Sequence, residues 1–479
     1  MLASPSDNNW NNPVNWSSGT VPNGFDVATF ATSNITAVSI SSTILLDDII
    51  FNADADAFTI TALPGVSVQF DNGGVVNSSV VEENLVAVSD NGSAGSFGFG
   101  YQGTIVGPVI FTQQARNATT GSPGTAGFSG GSAGDGTFHN LGASVAGGVG
   151  GQTNFVYTGT SADQCTIIND GATVGGATGA ATSFSQAKPS AGNATLIANG
   201  GTNGGGGGSF SFEGGSLGGT ARLELFGNGY MDMSSHTGPS VSIGSIEGDG
   251  QIYIGKSTLM VGTNNLSTTF SGVLHPGSPI GGSGTGGLTK TGSGTLTLSG
   301  VNLYTAGTTV STGTLVISNT TGSGTGTGAV SVNAGTIGGK GIMSGAVIVG
   351  TGSGTGAFLA PAHGTTTQST LTIQSGLTLN SDSTYTYTFK AKKKMARTDK
   401  VIANGVTINS GATFAFQGTA QGTLTKGLVL TAISNTATTP ISGTFSNLAG
   451  GAILTVNGNN FQASYEGGDG NDLTLTVVP

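Results

Sequence analysis

Short runs in which apolar and polar residues alternate occur along most of the chain. Thr295-Leu-Thr-Leu298 and Tyr385-Thr-Tyr-Thr-Phe389 are two of these runs, and Gly-, Ser- and Asn-rich segments separate them from their neighbours. Alternation over a few residues predicts strands with one buried face, whereas an amphipathic helix needs apolar residues three and four positions apart. We find no sustained helical pattern with capping residues at its ends. The chain is therefore predicted to be all-β.

The strand pattern repeats along the first half of the chain. Phe128, Phe155, Phe184 and Phe210 recur at nearly equal intervals, and the segment 134–140 is echoed at three later places, 163–169, 192–198 and 219–225. Self-similarity at this period indicates stacked repeats, in which each turn of chain packs on its two neighbours. We therefore predict a β-solenoid with turns of roughly 26 residues.

Composition divides the chain into four segments. Residues 1–75 are predicted to form an N-terminal cap and the first turns, and residues 76–280 the Gly-rich repeats. Residues 281–379 change to short Thr- and Gly-rich strands, and residues 380–479 have longer, more aromatic strands that would form the last turns and a cap. Caps are expected because the open end of a solenoid must be covered.

Both tryptophans of the chain, Trp10 and Trp16, lie in the first segment. Atypical terminal repeats cover the hydrophobic end of a solenoid, so we assign both side chains to the cap. The alternative is that they form a platform on which a sugar ring stacks.

The charge of the chain limits its possible partners, and its single cysteine limits its possible disulfides. The net charge is −10 and only 8% of residues are charged, so nucleic acid and anionic membranes are not expected as partners, since both require basic surfaces. No apolar run has the length of about 20 residues that spans a bilayer. The single cysteine, Cys165, excludes an intramolecular disulfide and is interpreted as a small packed side chain.

Catalytic and metal sites are not evident in the sequence. The four histidines are far apart, without the spacing of metal ligands: His139, His236, His275 and His363. The densest acidic group has no Lys or Arg before Arg116 to complete a glycosidase-like site, and we interpret it as solvated turn carboxylates: Asp47, Asp48, Asp54, Asp56, Glu82 and Glu83.

Two segments are candidates for ion or partner binding. Gly467–Asp472 is similar to half of a glycine-rich calcium turn, which makes Asp469 and Asp472 weak candidate calcium ligands. Six of the 13 basic residues are close together in a predicted loop between two strands: Lys390, Lys392, Lys393, Lys394, Arg397 and Lys400. This loop is either a solvated loop or a binding site for an anionic surface polymer or an acidic flank of a neighbouring copy.

One stretch resembles a known family. The sequence 288–300 (Leu-Thr-Lys-Thr-Gly-Ser-Gly-Thr-Leu-Thr-Leu-Ser-Gly), with its continuation to Leu315, resembles the passenger-associated transport repeat, or autotransporter-associated β-strand repeat, of bacterial autotransporter passengers. Residues 243–250, 264–272 and 465–475 resemble segments found in the same proteins. The resemblance implies a right-handed parallel β-helix that is exported to the bacterial cell surface or beyond it.

These observations favour a non-enzymatic extracellular or cell-surface β-solenoid, serving as a stalk, an adhesin, a matrix element or a filament subunit. Its expected partners are a surface polymer, a glycan or other copies of itself, and no cofactor is expected apart from the weak calcium candidate. The alternatives are a carbohydrate-active β-helix enzyme, such as a polysaccharide lyase or glycosidase, and a carbohydrate-binding module.

Overall fold

The computed structural model describes residues 1–90, 92–354, 356–363 and 367–479. Within these ranges the regular structure consists of strands and one three-residue 3-10 turn, Pro13–Asn15, and there is no α-helix. None of the described residues belongs to a helix with the length and hydrophobicity needed to cross a bilayer. The chain forms two compact units, Met1–Ser257 with Ser278–Gly281, and Thr258–Gly277 with Gly282–Pro479.

The strands of the first unit follow one another at short intervals. In chain order they are Asp26–Phe30 (β1), Ala37–Ile40 (β2), Ile44–Phe51 (β3), Thr59–Ala62 (β4), Ser67–Phe70 (β5), Val75–Asn77 (β6), Glu83–Ala87 (β7), Ser96–Phe99 (β8), Ile105–Val106 (β9), Val109–Gln113 (β10), Thr125–Phe128 (β11), Thr137–Asn140 (β12), Gln152–Val156 (β13), Thr166–Asn169 (β14), Ala181–Ser185 (β15), Thr195–Ala198 (β16), Ser209–Phe212 (β17), Arg222–Leu225 (β18), Tyr230–Asp232 (β19), Ser240–Ile243 (β20), Ser245–Gly248 (β21) and Gln251–Tyr253 (β22).

Two long parallel sheets form the body of the first unit. Sheet A has the order β2-β4-β7-β10-β12-β14-β16-β18-β21. Sheet B has the order β3-β5-β8-β11-β13-β15-β17-β19-β22. Strands consecutive in the chain alternate between the two sheets over most of this length, so each turn of chain adds one strand to each sheet. The prediction of a parallel β-helix is confirmed.

A column of phenylalanine rings runs through the core behind sheet B. The rings of consecutive turns lie in register with centroids 4.6 to 5.0 Å apart and nearly parallel planes, and the column comprises Phe70, Phe99, Phe128, Phe155, Phe184 and Phe212. The sequence repeat correctly aligned three of these residues but wrongly ended with Phe210, which pairs with Thr182. Both Phe210 and Phe212 point inward, so alternation alone does not distinguish them.

A buried ladder of polar side chains lies in the core of the same turns. The Asn140 amide nitrogen donates to the Asn169 side-chain oxygen at 2.7 Å, in the next turn. Thr153 donates to Asn140 at 2.9 Å, and Thr182 donates to Asn169 at 3.1 Å. All four side chains are buried. Because an unpaired polar group in the core costs about 1–3 kcal/mol, this ladder favours one pairing of turns over a shifted one.

Aromatic packing and one asparagine cover the N-terminal edge of the first unit. Trp10 is fully buried and Trp16 is 5% exposed, and both rings pack against Phe30 at centroid distances of 5.7 and 5.8 Å. The side-chain oxygen of Asn11 accepts hydrogen bonds from the backbone N–H groups of Ser41 and Ser42. Neither indole therefore presents a face to solvent on which a sugar could stack.

The strands of the second unit, in chain order, are Thr258–Val261 (β23), Thr268–Phe270 (β24), Val273–His275 (β25), Gly287–Lys290 (β26), Thr295–Leu298 (β27), Thr308–Val310 (β28), Thr314–Ile317 (β29), Val330–Val332 (β30), Gly335–Gly339 (β31), Ile342–Met343 (β32), Val347–Val349 (β33), Ala357–Ala360 (β34), Thr370–Ile373 (β35), Leu377–Leu379 (β36), Ser383–Lys392 (β37), Met395–Thr398 (β38), Lys400–Ala403 (β39), Val406–Ile408 (β40), Thr413–Gln421 (β41), Val429–Asn435 (β42), Ile453–Val456 (β43), Asn459–Gly467 (β44) and Asp472–Val478 (β45).

Two parallel sheets and one mixed sheet form the second unit. Sheet C has the order β24-β27-β29-β31-β34-β37-β41. Sheet D has the order β23-β26-β28-β30-β33-β36-β40, and the mixed sheet E has the order β32-β35-β39-β42-β45-β44-β43. The turns vary in length, since the step from Leu296 to its partner Leu315 is much shorter than the step from Tyr385 to its partner Phe414.

The C-terminal turns change from parallel to antiparallel pairing, which ends the coil. In sheet E, β45 pairs antiparallel with both β42 and β44, and β43 pairs antiparallel with β44. In sheet C, the side-chain oxygen of Asn447 accepts from the Phe414 N–H at 2.8 Å and its nitrogen donates to the Phe414 carbonyl at 2.9 Å. One carboxamide thus makes the two hydrogen bonds that a further strand would have made at this residue.

Candidate functional site

The six clustered basic residues do not form the predicted loop. Strand β37 continues to Lys392, and β38 returns beside it as an antiparallel hairpin whose turn contains Lys393 and Lys394. Strand β41 lies along the other edge of β37 as far as Gln421. The loop prediction was wrong because Phe389-Lys-Ala-Lys392 still alternates, with Phe389 and Ala391 buried and both lysines exposed.

One face of this basic hairpin, residues 383–398, carries three cations. Lys390 lies directly opposite Arg397, and Lys392 lies opposite Met395. On the other edge of β37, Thr419 of β41 is the partner of Lys390. Side chains two residues apart on a strand are about 7 Å apart, and directly opposed side chains about 5 Å apart. The Cβ atoms of Lys390, Lys392 and Arg397 therefore lie within about 10 Å of one another.

In the described part of the chain, no ion pair neutralises this face. Among the described residues the ion pairs are His139 with Asp170, and Arg222 with Glu224 and Glu247, so none involves the hairpin. Like charges directly opposed on two strands are destabilising. The arrangement therefore has an energetic cost that binding of an anion would remove.

A shallow recess lies on the hairpin surface. Its volume is about 410 Å³. Its lining combines the three cations with small and uncharged side chains, namely Ala391, Ala396, Met395, Thr419 and Gln421. Met395 is 80% exposed, so the tip of the hairpin also presents an apolar side chain to solvent.

A buried carboxylate anchors the base of the hairpin. Asp399, at its C-terminal end, is fully buried and accepts hydrogen bonds from the Ser369 N–H at 2.9 Å and the Thr388 hydroxyl at 2.8 Å. Burial is the main cause that raises the pKa of Asp399, and these hydrogen bonds oppose it. Lys400 begins the next strand, β39. The structure thus places five of the six basic residues on the hairpin and Lys400 beyond its base.

One of the two candidate calcium ligands, Asp472, is largely buried and already has a backbone partner. Asp472 is 8% exposed and accepts a hydrogen bond from the Asn435 N–H at 2.8 Å. Burial raises the pKa of Asp472, and the charge of Asp469 contributes to that increase. In the part of the chain that the structure describes, no group of three or more His, Cys, Asp or Glu side chains could hold a metal ion.

Calcium binding at Asp469 and Asp472 therefore stays a prediction, and thermal unfolding tests it. Bound calcium stabilises the folded state by mass action, so millimolar calcium should raise the midpoint of unfolding. The matched control is the double substitution Asp469→Asn/Asp472→Asn, which should abolish the increase. If millimolar calcium leaves the unfolding midpoint of the unaltered protein unchanged, the prediction of a calcium site is wrong.

Three of the six acidic residues near the N-terminus accept hydrogen bonds from separate backbone groups. Asp48 accepts from the Gly74 N–H, and Asp56 accepts from the Ser33 N–H, each at 2.8 Å. Glu83 is fully buried and accepts from the Phe58 N–H at 2.7 Å. Burial is the main cause that raises the pKa of Glu83 to about 7. Sequence reasoning placed Glu83 in solvent, and no local pattern identifies it as buried.

His139 and Cys165 have local structural partners. The His139 ring lies 2.7 Å from an Asp170 carboxylate oxygen, and this hydrogen bond raises the pKa of His139. Asn199 donates to the other Asp170 oxygen at 2.9 Å. Cys165 is fully buried, which raises the pKa of its thiol. A thiol of this kind is unreactive because the thiolate is the nucleophilic form.

A buried lysine organises one corner of the second unit. Lys290 is fully buried, and its ammonium donates to the Gly292 carbonyl at 2.9 Å and to the Thr291 carbonyl. Burial lowers the pKa of Lys290 to about 8. Tyr304 is buried nearby in the chain, with its hydroxyl 2.6 Å from the Thr308 hydroxyl.

A buried asparagine in the same stretch connects three consecutive turns. The side-chain oxygen of Asn302 accepts from the Leu274 N–H at 2.9 Å, and its nitrogen donates to the Gly324 carbonyl at 2.7 Å. Lys290, Asn302 and Tyr304 thus have roles within the fold, and all three lie in one run of the sequence.

Comparison with protein families identifies that run. Residues 288–317 match the passenger-associated-transport-repeat family. The resemblance drawn from the sequence is confirmed, and the match to this repeat implies a secreted or surface-exposed protein. Within the repeat, Lys290 and Asn302 supply hydrogen bonds to corner carbonyls, and Leu296 and Leu315 stack in the core. No curated protein matches the chain.

Proposed function

We propose that the chain is a non-enzymatic, exported β-solenoid that acts as a stalk or adhesive element and binds an anionic surface polymer through its basic hairpin. The observation that carries this proposal is the convergence of Lys390, Lys392 and Arg397 on one hairpin face, where none of them forms an ion pair with a described residue. Such a cluster is unusual in a chain of net charge −10, which otherwise repels anions.

Two further features support a structural role over catalysis. The stacked turns fill the interior with side chains, and Asp48, Asp56 and Glu83 of the N-terminal acidic group accept hydrogen bonds from separate backbone donors. A glycosidase needs two carboxylates on either side of one substrate bond. The asparagine and antiparallel caps also support single copies over end-to-end filaments.

Charge reversal tests the hairpin. We expect the double substitution Lys390→Glu/Lys392→Glu to weaken binding to polygalacturonate, a uronic acid polymer, by about 100-fold, because it removes two attractions of up to about 1 kcal/mol each and adds repulsion of similar size. Binding by the unaltered protein should fall steeply as salt is raised. Surface plasmon resonance at several salt concentrations measures both effects.

The matched control is Lys256→Glu/Lys340→Glu, which changes the net charge equally at two exposed positions away from the hairpin. It should reduce the affinity by less than threefold. If the two double variants lose affinity equally, or if the unaltered protein binds no anionic polymer, the hairpin is not the binding site.

A further inference from the structure

A second surface feature lies on the outer face of sheet B, in the first unit. One outward column of side chains runs Gln69, Gly98, Gly127, Asn154 and Ser183 in consecutive turns. A recess of about 490 Å³ lies on this face at Gly127, and the Gln69 side chain extends over the neighbouring Gly98. A β-carbon added at Gly127 would meet no atom within 4 Å, so this part of the recess is open.

Glycine at Gly127 is not required by the fold. The residue lies within strand β11, is not in the left-handed region, and has room for a side chain. Glycine inside a strand weakens it and often marks a place where a ligand approaches the backbone closely. A residue that weakens the local structure without a compensating structural role is typical of functional sites.

The wall of the same recess contains a strained tyrosine. Tyr157 has a φ of 76° and is 50% exposed, although a bulky side chain is disfavoured in this conformation. It lies two residues after Phe155 of the ring column. The equivalent residues of the next two turns adopt the same conformation, Gln186 with a φ of 69° and Gly214 with a φ of 59°. Tyr157 therefore places an aromatic ring, at a cost in backbone strain, at a corner where another turn has glycine.

The lining determines which ligand the recess would take. Apart from the aromatic residues, Val156 and the glycines, it consists of uncharged hydroxyl and amide side chains, namely Gln69, Ser96, Thr125, Ser129 and Gln186. These groups both donate and accept hydrogen bonds. A ring such as Tyr157 offers an apolar face beside a polar edge. Charged ligands find no counter-charge in this described lining.

We propose that this recess is a binding site for a neutral glycan chain, distinct from the basic hairpin. The C–H face of one sugar ring stacks on Tyr157, and its hydroxyls bond to the side chains above the Gly98 and Gly127 backbone. A protein partner fits less well, because a stable protein interface buries about 800 Å² on each side around an apolar centre. The recess is much smaller than such an interface and is open to solvent.

Calorimetry with neutral hexasaccharides of β-1,4-glucose, β-1,4-mannose and α-1,4-glucose tests the proposal, with hexagalacturonate as the charged comparison. At least one neutral hexasaccharide should bind. In the Lys390→Glu/Lys392→Glu background, where the hairpin no longer attracts anions, hexagalacturonate should bind at least tenfold more weakly than that neutral hexasaccharide. Gly127→Thr should abolish binding without destabilising the protein, because the added side chain enters open space on a strand. Ala181→Thr is the matched control, since it adds the same side chain to the same face outside the recess.

A second variant separates binding from folding. Tyr157→Gly should remove the ring and at the same time relieve the strained backbone, so the midpoint of thermal unfolding should be unchanged or higher while affinity falls about tenfold. A role in folding alone would lower the midpoint and leave affinity intact. The hairpin variant Lys390→Glu/Lys392→Glu should retain full glycan affinity, which keeps the outcome independent of the hairpin proposal. The proposal is overturned if no neutral glycan binds, or if Gly127→Thr binds as tightly as the unaltered protein.

Discussion

Replacing Leu296 by Lys is expected to destabilise the second unit by about 3–5 kcal/mol, the cost of an unpaired charge in a core. Leu296 is 1% exposed and stacks in register on Leu315 of the next turn. The effect should be local, because each turn of a solenoid contacts only its neighbours. Hydrogen exchange should show lost protection in Thr314–Ile317 and retained protection in Thr413–Gln421, at the far end of sheet C.

The matched control for Leu296 is the next residue in the same strand. Thr297 points outward, so Thr297→Lys should change the free energy of unfolding by less than about 0.5 kcal/mol, as exposed substitutions do. Chemical denaturation of both variants provides the comparison. Equal destabilisation by the two substitutions would contradict the assignment of inward and outward faces.

The second large effect is a pH dependence that comes from Glu83. Its pKa is about 7 in the folded protein and 4.5 as the ordinary value, so the folded state holds this proton more tightly than the unfolded state. The resulting stabilisation is complete below pH 4.5 and is lost as pH rises through 7. A shift of this size corresponds to about 3 kcal/mol.

Glu83→Gln isolates this contribution. The carboxamide oxygen can still accept from the Phe58 N–H but does not ionise, so the variant should be more stable than the unaltered protein at pH 8 by about 2–3 kcal/mol. The difference should disappear near pH 4. The exposed neighbour provides the control: Glu82→Gln should leave the stability profile parallel to that of the unaltered protein. A pH-independent difference for Glu83→Gln would mean that packing, and not ionisation, is responsible.

The strands were predictable from the sequence because alternation is a local property. The alternation in each run such as Thr295-Leu-Thr-Leu298 indicates which side chains face inward. The repeats of the segment Gly134–Asn140 identify equivalent strands in consecutive turns. The register between paired strands depends on residues that are far apart in the sequence. The interval between paired residues differs from turn to turn, so a fixed period cannot decide whether Phe210 or Phe212 stacks on Phe184.

The sites were less predictable than the strands, for physical reasons. The basic cluster is conspicuous in composition, but its geometry depends on strand β41, whose Thr419 pairs with Lys390 from the following turn of the chain. The burial of Glu83 depends on a backbone donor in the preceding turn, at Phe58. The recess at Gly127 is defined by the absence of a side chain between neighbouring turns, and a sequence rich in glycine gives no signal for one particular glycine.

The Asn140–Asn169 ladder restricts how a chain of this kind can change in length during evolution. Where adjacent turns meet only through aliphatic and aromatic stacking, a duplicated or deleted coil would find an acceptable neighbour on either side. An inserted coil next to Asn140 or Asn169 would need a carboxamide at the same buried position. Without one, hydrogen-bond donors and acceptors would be left unpaired in the interior. Gains and losses of coils should therefore accumulate elsewhere in the molecule, with these few amides acting as a fixed reference point.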